Sequence, residues 1–252
     1  MDDADLRLLI DLHRDAARQG PGSDAETARA LDLARIDRAA PLRVADIGCG
    51  TGASTLALAR LLPAAEITAV DLLPAFIEGL GARLARAGVA ERVRPLCRSM
   101  DDLPFADAQF DLLWSEGAIY NLGFERGVEQ WRRYLRPGGV LAVSEITWTT
   151  ASRPPEVQAH WAADYPEIDT AAAKLAVLER HGYAPIGYLV LPESCWEAHY
   201  YRPLWDRFAA FLARHAGDER ARAIVAAEEA EMALYAQYGA FYSYGFYVAR
   251  RL

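Results

Sequence analysis

Cysteine is scarce in this chain of 252 residues: Cys49, Cys97 and Cys195 are odd in number, far apart and without a C-x-x-C pair. A disulfide framework and a thiolate zinc site are therefore not expected. Positive charge is also in the minority, with 27 Lys and Arg against 35 Asp and Glu for a formal net charge of −8. Such a surface has no sequence-independent pull toward phosphate backbones or anionic lipid, so nucleic acid is not an expected partner. No apolar run approaches membrane-spanning length. The opening residues Asp2, Asp3 and Asp5 lack the basic flank and apolar centre of an export signal, so a cytoplasmic chain that leaves membranes alone is expected. Repeats and low-complexity tracts are missing too. His160-x-x-x-Asp164 is the nearest approach to a metal-ligand spacing, it has no evident third ligand, and no metal is expected.

What is present is an alternation of strand and helix patterns, which implies a parallel sheet with helical crossovers. Residues 43–47 read as a buried strand, followed by a glycine-rich turn and a helix from Ala53 to Leu62 that Pro63 closes. Further strands are expected at Ile67–Asp71, near Val93–Cys97, at Phe110–Ser115 and at Val140–Ile146, the last starting straight after Pro137-Gly138-Gly139. After Thr150 the pattern changes. Tyr183–Leu191 reads as a sixth strand and Phe241–Val248 as the final one, with a mainly helical stretch between them too long for an ordinary connection. That stretch, about 192–240, is expected to form a lid. All twelve tyrosines fall at or after Tyr120, which divides an aliphatic half from an aromatic one. The division fits a substrate-facing second half and fits plain core packing equally.

The strongest local signal is Val44-Ala-Asp-Ile-Gly-Cys-Gly-Thr-Gly52, where Gly48, Gly50 and Gly52 let the backbone turn sharply after a strand and come close to a ligand. The spacing G-x-G-x-G, with Ala53 where a dinucleotide fingerprint would place its third glycine, departs from that fingerprint. Asp46 just before the loop suits an ammonium better than a pyrophosphate. S-adenosylmethionine has an amino acid end carrying both charges, which such a loop matches through its backbone N–H groups and that carboxylate. Asp71 ends the second strand nineteen residues after Gly52, where an acidic side chain accepts hydrogen bonds from ribose hydroxyls, with Leu72 against the adenine. By itself Asp71 would equally be a helix N-cap.

Together with Ala69-Val-Asp-Leu, Leu103-Pro-Phe, Phe110-Asp-Leu-Leu-Trp and Leu135-Arg-Pro-Gly-Gly, in that order over residues 43–147, these motifs resemble the class I S-adenosylmethionine-dependent methyltransferases. The resemblance implies an α/β, doubly wound, seven-stranded and mostly parallel Rossmann-like sheet with an antiparallel last strand. It also implies ribose contacts from Asp71 and adenine contacts from Ser99, Met100 and Asp101, with S-adenosylhomocysteine as product. Many members carry an acidic or amide side chain where this chain has Ser99, which shifts the adenine role toward Asp101 or backbone groups. A narrower likeness, through Arg18-Gln-Gly-Pro-Gly-Ser23 and Ser115-Glu-Gly-Ala-Ile-Tyr-Asn121, is to bacterial enzymes loosely grouped as quinone-biosynthesis-type methyltransferases. It brings Gln19 and Ser115 into the expected cofactor site. The whole is read as one domain over 1–252, with an N-terminal helical segment 1–40, a cofactor-binding core 41–150 and a substrate-facing half 151–252.

Methyl transfer from a sulfonium is an in-line displacement on an activated carbon, so positioning can suffice without a catalytic triad. Where the acceptor must lose a proton, Glu116 and Tyr120 just past the fourth strand, together with His160 and His199 among aromatics, are the expected catalytic residues. Glu145 lies inside an apolar strand and needs a partner. With no Asn-Pro-Pro-Tyr motif after the fourth strand, a small-molecule acceptor is expected; its identity, the atom methylated and the oligomeric state stay open. The alternatives are a nucleotide-dependent oxidoreductase and a non-catalytic module that binds the cofactor or its product.

Overall fold

The computed structural model describes residues 2–252. Its centre is one sheet of strands β1 (Arg43–Ile47), β2 (Glu66–Asp71), β3 (Val93–Cys97), β4 (Phe110–Ser115), β5 (Leu135–Trp148), β6 (Asp169–Thr170), β7 (Tyr183–Val190) and β8 (Tyr242–Arg251). The spatial order is β3-β2-β1-β4-β5-β8-β7, and the two-residue β6 pairs with the far end of β5. β8 runs antiparallel to both β5 and β7, while β1 through β5 pair in parallel. The order reverses beside β1, so the carboxyl ends of β1 and β4 flank the crevice where doubly wound sheets bind ligands.

Both faces of the sheet are covered. Helices α1 (Asp3–His13), α2 (Asp24–Ala34), α3 (Ala53–Leu61), α4 (Pro74–Ala87), α5 (Phe124–Trp131), α6 (Pro155–Asp164) and α7 (Ala171–Arg180) precede the helical insert before β8. One apolar cluster joins α2 and α3 to β1 and β4 through Leu31, Leu58, Val44 and Trp114. A second, on the opposite face, joins α5 and α7 through Phe124, Trp131 and Leu178. Local chemistry sets the helix ends: the Ser23 hydroxyl accepts from Glu26 N–H and starts α2, and Gly88, in the left-handed region, ends α4.

The stretch before the last strand is helical as expected: α8 (Glu193–Trp196), a π-helical turn (Glu197–Tyr201), α9 (Arg202–Arg214) and α10 (Glu219–Tyr238). A third apolar cluster packs it on α1 and on the extended ends of β5 and β8, through Leu8, Leu12, Trp148, Trp196, Phe208 and Tyr242. Charged pairs fasten α1 to this insert, Arg214 holding Asp11 at 2.8 Å and Arg220 holding Asp2 at 2.6 Å. Among the described residues, no helix is long and apolar enough to cross a membrane, and no group of three or more His, Cys, Asp or Glu is placed to hold a metal.

Two acidic side chains in the sheet are fully buried. Asp46, on β1, accepts hydrogen bonds from Ser54 Oγ (2.8 Å) and Thr55 Oγ1 (2.6 Å) in the first turn of α3, and its Oδ1 has no partner. Burial pushes its carboxyl up to about 7. The expectation that Asp46 meets a ligand's ammonium is corrected: it lies under the glycine loop, pinning strand to helix, and does not line the cavity described below. Glu145, on β5, has the partner it requires in Lys174 Nζ at 3.2 Å, and that ammonium also sits 4.5 Å from the Phe124 ring centroid. Burial raises the Glu145 carboxyl to about 7, against the opposing pull of Lys174.

The folded Asp46 carboxyl lies above its ordinary 3.8, so the native chain keeps a proton that the unfolded chain loses. Stability should then fall as pH rises from about 4 to about 7, and in denaturant unfolding across that range Asp46→Asn should remove about one proton's worth of the slope; an unchanged slope contradicts the burial argument. Lys174→Met strands a buried anion and should destabilise the fold by about 3–5 kcal/mol at pH 8. The double variant with Glu145→Gln should recover most of that loss in the same assay.

Candidate functional site

The glycine loop leaves β1 and turns under the end of β2, with Gly48 N–H and Cys49 N–H both donating to the Val70 carbonyl at 2.8 and 2.9 Å. Gly48 has φ +77°, and a Cβ there would stand 2.3 Å from the Ala118 methyl. Gly50 has φ +54°, and a Cβ there would stand 2.2 Å from Gln19 Oε1. No side chain fits at either position, so the loop backbone itself forms the surface. Gly52 serves differently. It opens α3 against Leu80 and is not part of the cavity wall.

A cavity of about 540 Å³ opens above this loop. Gly48 and Gly50 form its floor; Asp71, Leu72 and Phe76 come from the end of β2 and the start of α4. Ser99, Met100 and Asp101 come from the loop after β3, and Glu116 and Tyr120 from beyond β4. Asp71 spans two backbone donors, Gly50 N–H at 2.8 Å on one oxygen and Leu73 N–H at 3.0 Å on the other. Each oxygen therefore keeps acceptor capacity for a ligand. Burial raises this carboxyl's pKa, opposed by the N–H donors of Leu73 and Gly50. Leu72 is 61% exposed, a large apolar side chain left without protein cover at the cavity rim. Asp101 is held low by a hydrogen bond with Ser99.

The segment between α1 and α2 lies over the loop as a strap. Gln19 Oε1 accepts from Thr51 N–H at 3.0 Å, and its amide donates to Thr51 Oγ1 at 3.0 Å and to the His13 carbonyl at 3.2 Å. Arg83 braces the same place, donating to the carbonyls of Thr51 (2.9 Å) and Ala17 (3.1 Å). Arg18 ties the strap to the end of β4 through Glu116 Oε2 at 2.9 Å, the two side chains being 10% and 9% exposed. Glu116 Oε1 takes Thr27 Oγ1 at 2.6 Å and Trp114 Nε1 at 3.0 Å. Oε1 of this carboxylate thus carries two donors, and Oε2 carries the guanidinium. Glu116 reaches the cavity as expected, but as the fixed anion of an ion pair and not as a free base.

Other expectations fail on position. Ser115 is fully buried in β4, opposite Val143, and its hydroxyl neither lines the cavity nor finds a partner. The pleat turns the next residue, Glu116, toward the ligand side instead. His160 is exposed on α6 with its ring against Trp161. His199 is exposed in a separate cleft with Asp24, Arg60 and Arg83. Neither imidazole can serve chemistry in the cavity. Tyr120 does reach it, 40% exposed, and Asn121 stands beside it, donating to the Ala118 carbonyl at 3.0 Å. The sequence reading missed Leu6 of α1, Arg98 and the bracing role of Arg83. The face of α4 that carries Leu80 three residues earlier was the available sign for Arg83.

Residues 44–139 match the family model for the methyltransferase domain. Over 111 residues the chain is 34% identical to malonyl-[acyl-carrier protein] O-methyltransferase of Dechloromonas aromatica, a match covering 42% of this chain and 37% of that protein. It is 37% identical over 122 residues to trans-aconitate 2-methyltransferase of Deinococcus radiodurans, covering 48% and 44%. The chain thus spans about half or less of the length of the curated relatives it matches. A solved S-adenosylmethionine-dependent methyltransferase from Geobacter sulfurreducens, in complex with S-adenosylhomocysteine, superposes with a TM-score of 0.84 at 21% identity, over 98% of each chain. These likenesses do not favour an oxidoreductase or a non-catalytic module. Residues 44–139 thus resemble a methyltransferase domain, and the overall fold is that of the solved S-adenosylmethionine-dependent methyltransferase.

Proposed function

We propose that the protein transfers a methyl group from S-adenosylmethionine to a small-molecule acceptor. The observation that carries this reading is the single cavity in which the glycine loop, Asp71, Leu72 and the loop Ser99–Met100–Asp101 face one space at the carboxyl edge of the sheet. The fit is chemical. Asp71 offers two acceptor oxygens to a ribose diol, exposed Leu72 and Met100 offer apolar surface to a purine, and Asp101 offers a carboxylate to an exocyclic amine. Gln19, Arg18 and the loop backbone would receive the amino acid end. Asp46 would act only through the loop it supports.

When bound, the cofactor supplies a methyl carbon already activated by its sulfonium. What the chain adds is placement. The strap 14–23 and the carboxyl edge enclose the space, and Tyr120 and Asn121 stand at the end left for an acceptor. With both imidazoles outside and Glu116 tied in an ion pair, positioning and exclusion of water carry the acceleration rather than a dedicated base. The narrower likeness to quinone-biosynthesis-type enzymes draws support from one contact: its two segments, 18–23 and 115–121, meet through Arg18 and Glu116.

Calorimetric titration tests the reading. S-adenosylmethionine and S-adenosylhomocysteine should bind in the micromolar range, and NADH should give no heat. Asp71→Ala should weaken both sulfur ligands by about 1–3 kcal/mol. Folded protein that binds neither would overturn the proposal.

A further inference from the structure

A second cleft, of about 490 Å³, lies beside the strap and shares Arg18 and Ala53 with the cavity over the glycine loop. Three arginines from three elements line it: Arg18 from the strap, Arg60 from α3 and Arg83 from α4. The start of α2 opens into it through Ser23, Asp24 and Ala25, adding the positive end of a helix dipole, and the exposed His199 stands at its edge. Asp24 is the one acidic residue of the lining.

That single carboxylate does not balance the cleft. Asp24 Oδ1 holds Arg18 Nη2 at 3.2 Å, and its Oδ2 holds Arg60 Nη2. Arg18 gives its other terminal nitrogen to Glu116 at 2.9 Å. Arg83, partly buried, has no carboxylate within ion-pair distance among the described residues. Its Nη1 donates to the carbonyls of Ala17 and Thr51 and to Thr51 Oγ1, while no protein acceptor among the described residues takes its Nε or Nη2. Arg60 likewise commits only Nη2. Burial lowers the pKa of Arg83, and the charges of Arg18, Arg86 and Arg60 push the same way against Asp24. Even with Glu116 set against Arg18, one guanidinium charge in the cleft lacks a counter-charge, and two guanidinium groups keep unused donors. A phosphate group supplies both missing things, negative charge and several oxygens that guanidinium N–H groups can bridge. A cation would be repelled, and an apolar ligand would cover those donors without replacing their hydrogen bonds to water.

We propose that the cleft between the strap, α3 and α4 binds a phosphate group, held by Arg60 and Arg83. The site stands apart from methyl transfer, because Arg60 and Arg83 lie outside the cavity over the glycine loop. A phosphate seated there would link α3 to α4 beside the strap, which Arg83 already holds through the Ala17 carbonyl at 3.1 Å.

Inorganic phosphate and glycerol 3-phosphate, each titrated calorimetrically at constant ionic strength into the full chain saturated with S-adenosylhomocysteine, decide it. At least one should bind with a Kd of about 1 mM or tighter. Arg60→Gln and Arg83→Gln should each weaken that binding about tenfold. Asp24→Asn, which removes the one carboxylate of the lining, should tighten it about threefold or more, a gain that damage to the fold does not produce. Arg133→Gln, at an exposed arginine paired with Asp107 elsewhere on the surface, should leave it unchanged. Tighter binding of glycerol 3-phosphate identifies an organic phosphomonoester as the ligand, and equal or tighter binding of inorganic phosphate identifies the free ion. Saturable binding of neither probe, indifference to Arg60→Gln or Arg83→Gln, an Asp24→Asn protein that binds no more tightly, or an equal loss in Arg133→Gln overturns the proposal. Failure to bind S-adenosylhomocysteine overturns the methyl-transfer reading alone; the same titrations on the free protein then decide the phosphate site.

Discussion

Between β1 and α3 the chain reverses within a few residues, and that turn depends on backbone conformations closed to residues with a Cβ. Gly48 and Gly50 hold positive φ with neighbours packed to where a side chain would begin, and two consecutive N–H groups share the Val70 carbonyl. The turn brings α3 directly above the strand end, which allows Ser54 and Thr55 to reach Asp46. It presents Gly50 N–H to Asp71, which fixes the carboxylate at the end of β2. It also leaves a shallow floor onto which Gln19 closes. The cavity floor, the placement of the Asp71 carboxylate and the strap are consequences of one turn.

Acidic side chains around this turn differ in role because their surroundings differ. Asp46 is buried with two hydroxyl donors and holds structure together. Glu116 is buried with a guanidinium, a hydroxyl and an indole N–H, and it latches the strap to the sheet. Glu145 is buried with an ammonium inside β5. Asp71 keeps acceptor capacity toward the cavity. Glu231, on α10, is partly buried and accepts a hydrogen bond from Tyr201 Oη.

The positions of the strands and of the glycine loop were legible in the sequence because they rest on short-range rules. A buried strand, a G-x-G-x-G turn and an acidic residue ending the next strand sit within thirty residues of one another, and Gly88 and Pro74 mark helix ends by local sterics. Strand β5 ran further than expected, from Leu135 to Trp148, because Leu135 already pairs with Phe110 and the far end pairs with β8 and β6. Roles that depend on pairing across the chain were hidden. Nothing near Glu116 in sequence announces Arg18 or Thr27, and nothing near His160 or His199 says which way its helix faces. Asp46 and Ser115 were misplaced because strand alternation decides, within one residue, between a ligand-facing and a buried side chain. The aromatic second half serves two ends, since Tyr120 reaches the cavity while Tyr183, Tyr242 and Tyr247 are fully buried packing.

The central claim, that the glycine loop, the end of β2, the loop after β3 and the strap form one site for S-adenosylmethionine, is tested most directly by amide hydrogen exchange with and without S-adenosylhomocysteine. The account predicts slowed exchange at 18–22, 48–52, 71–73 and 99–101, with helices α5 and α7 on the opposite face unchanged. Slowing confined to other segments, or none at saturating ligand, would contradict it.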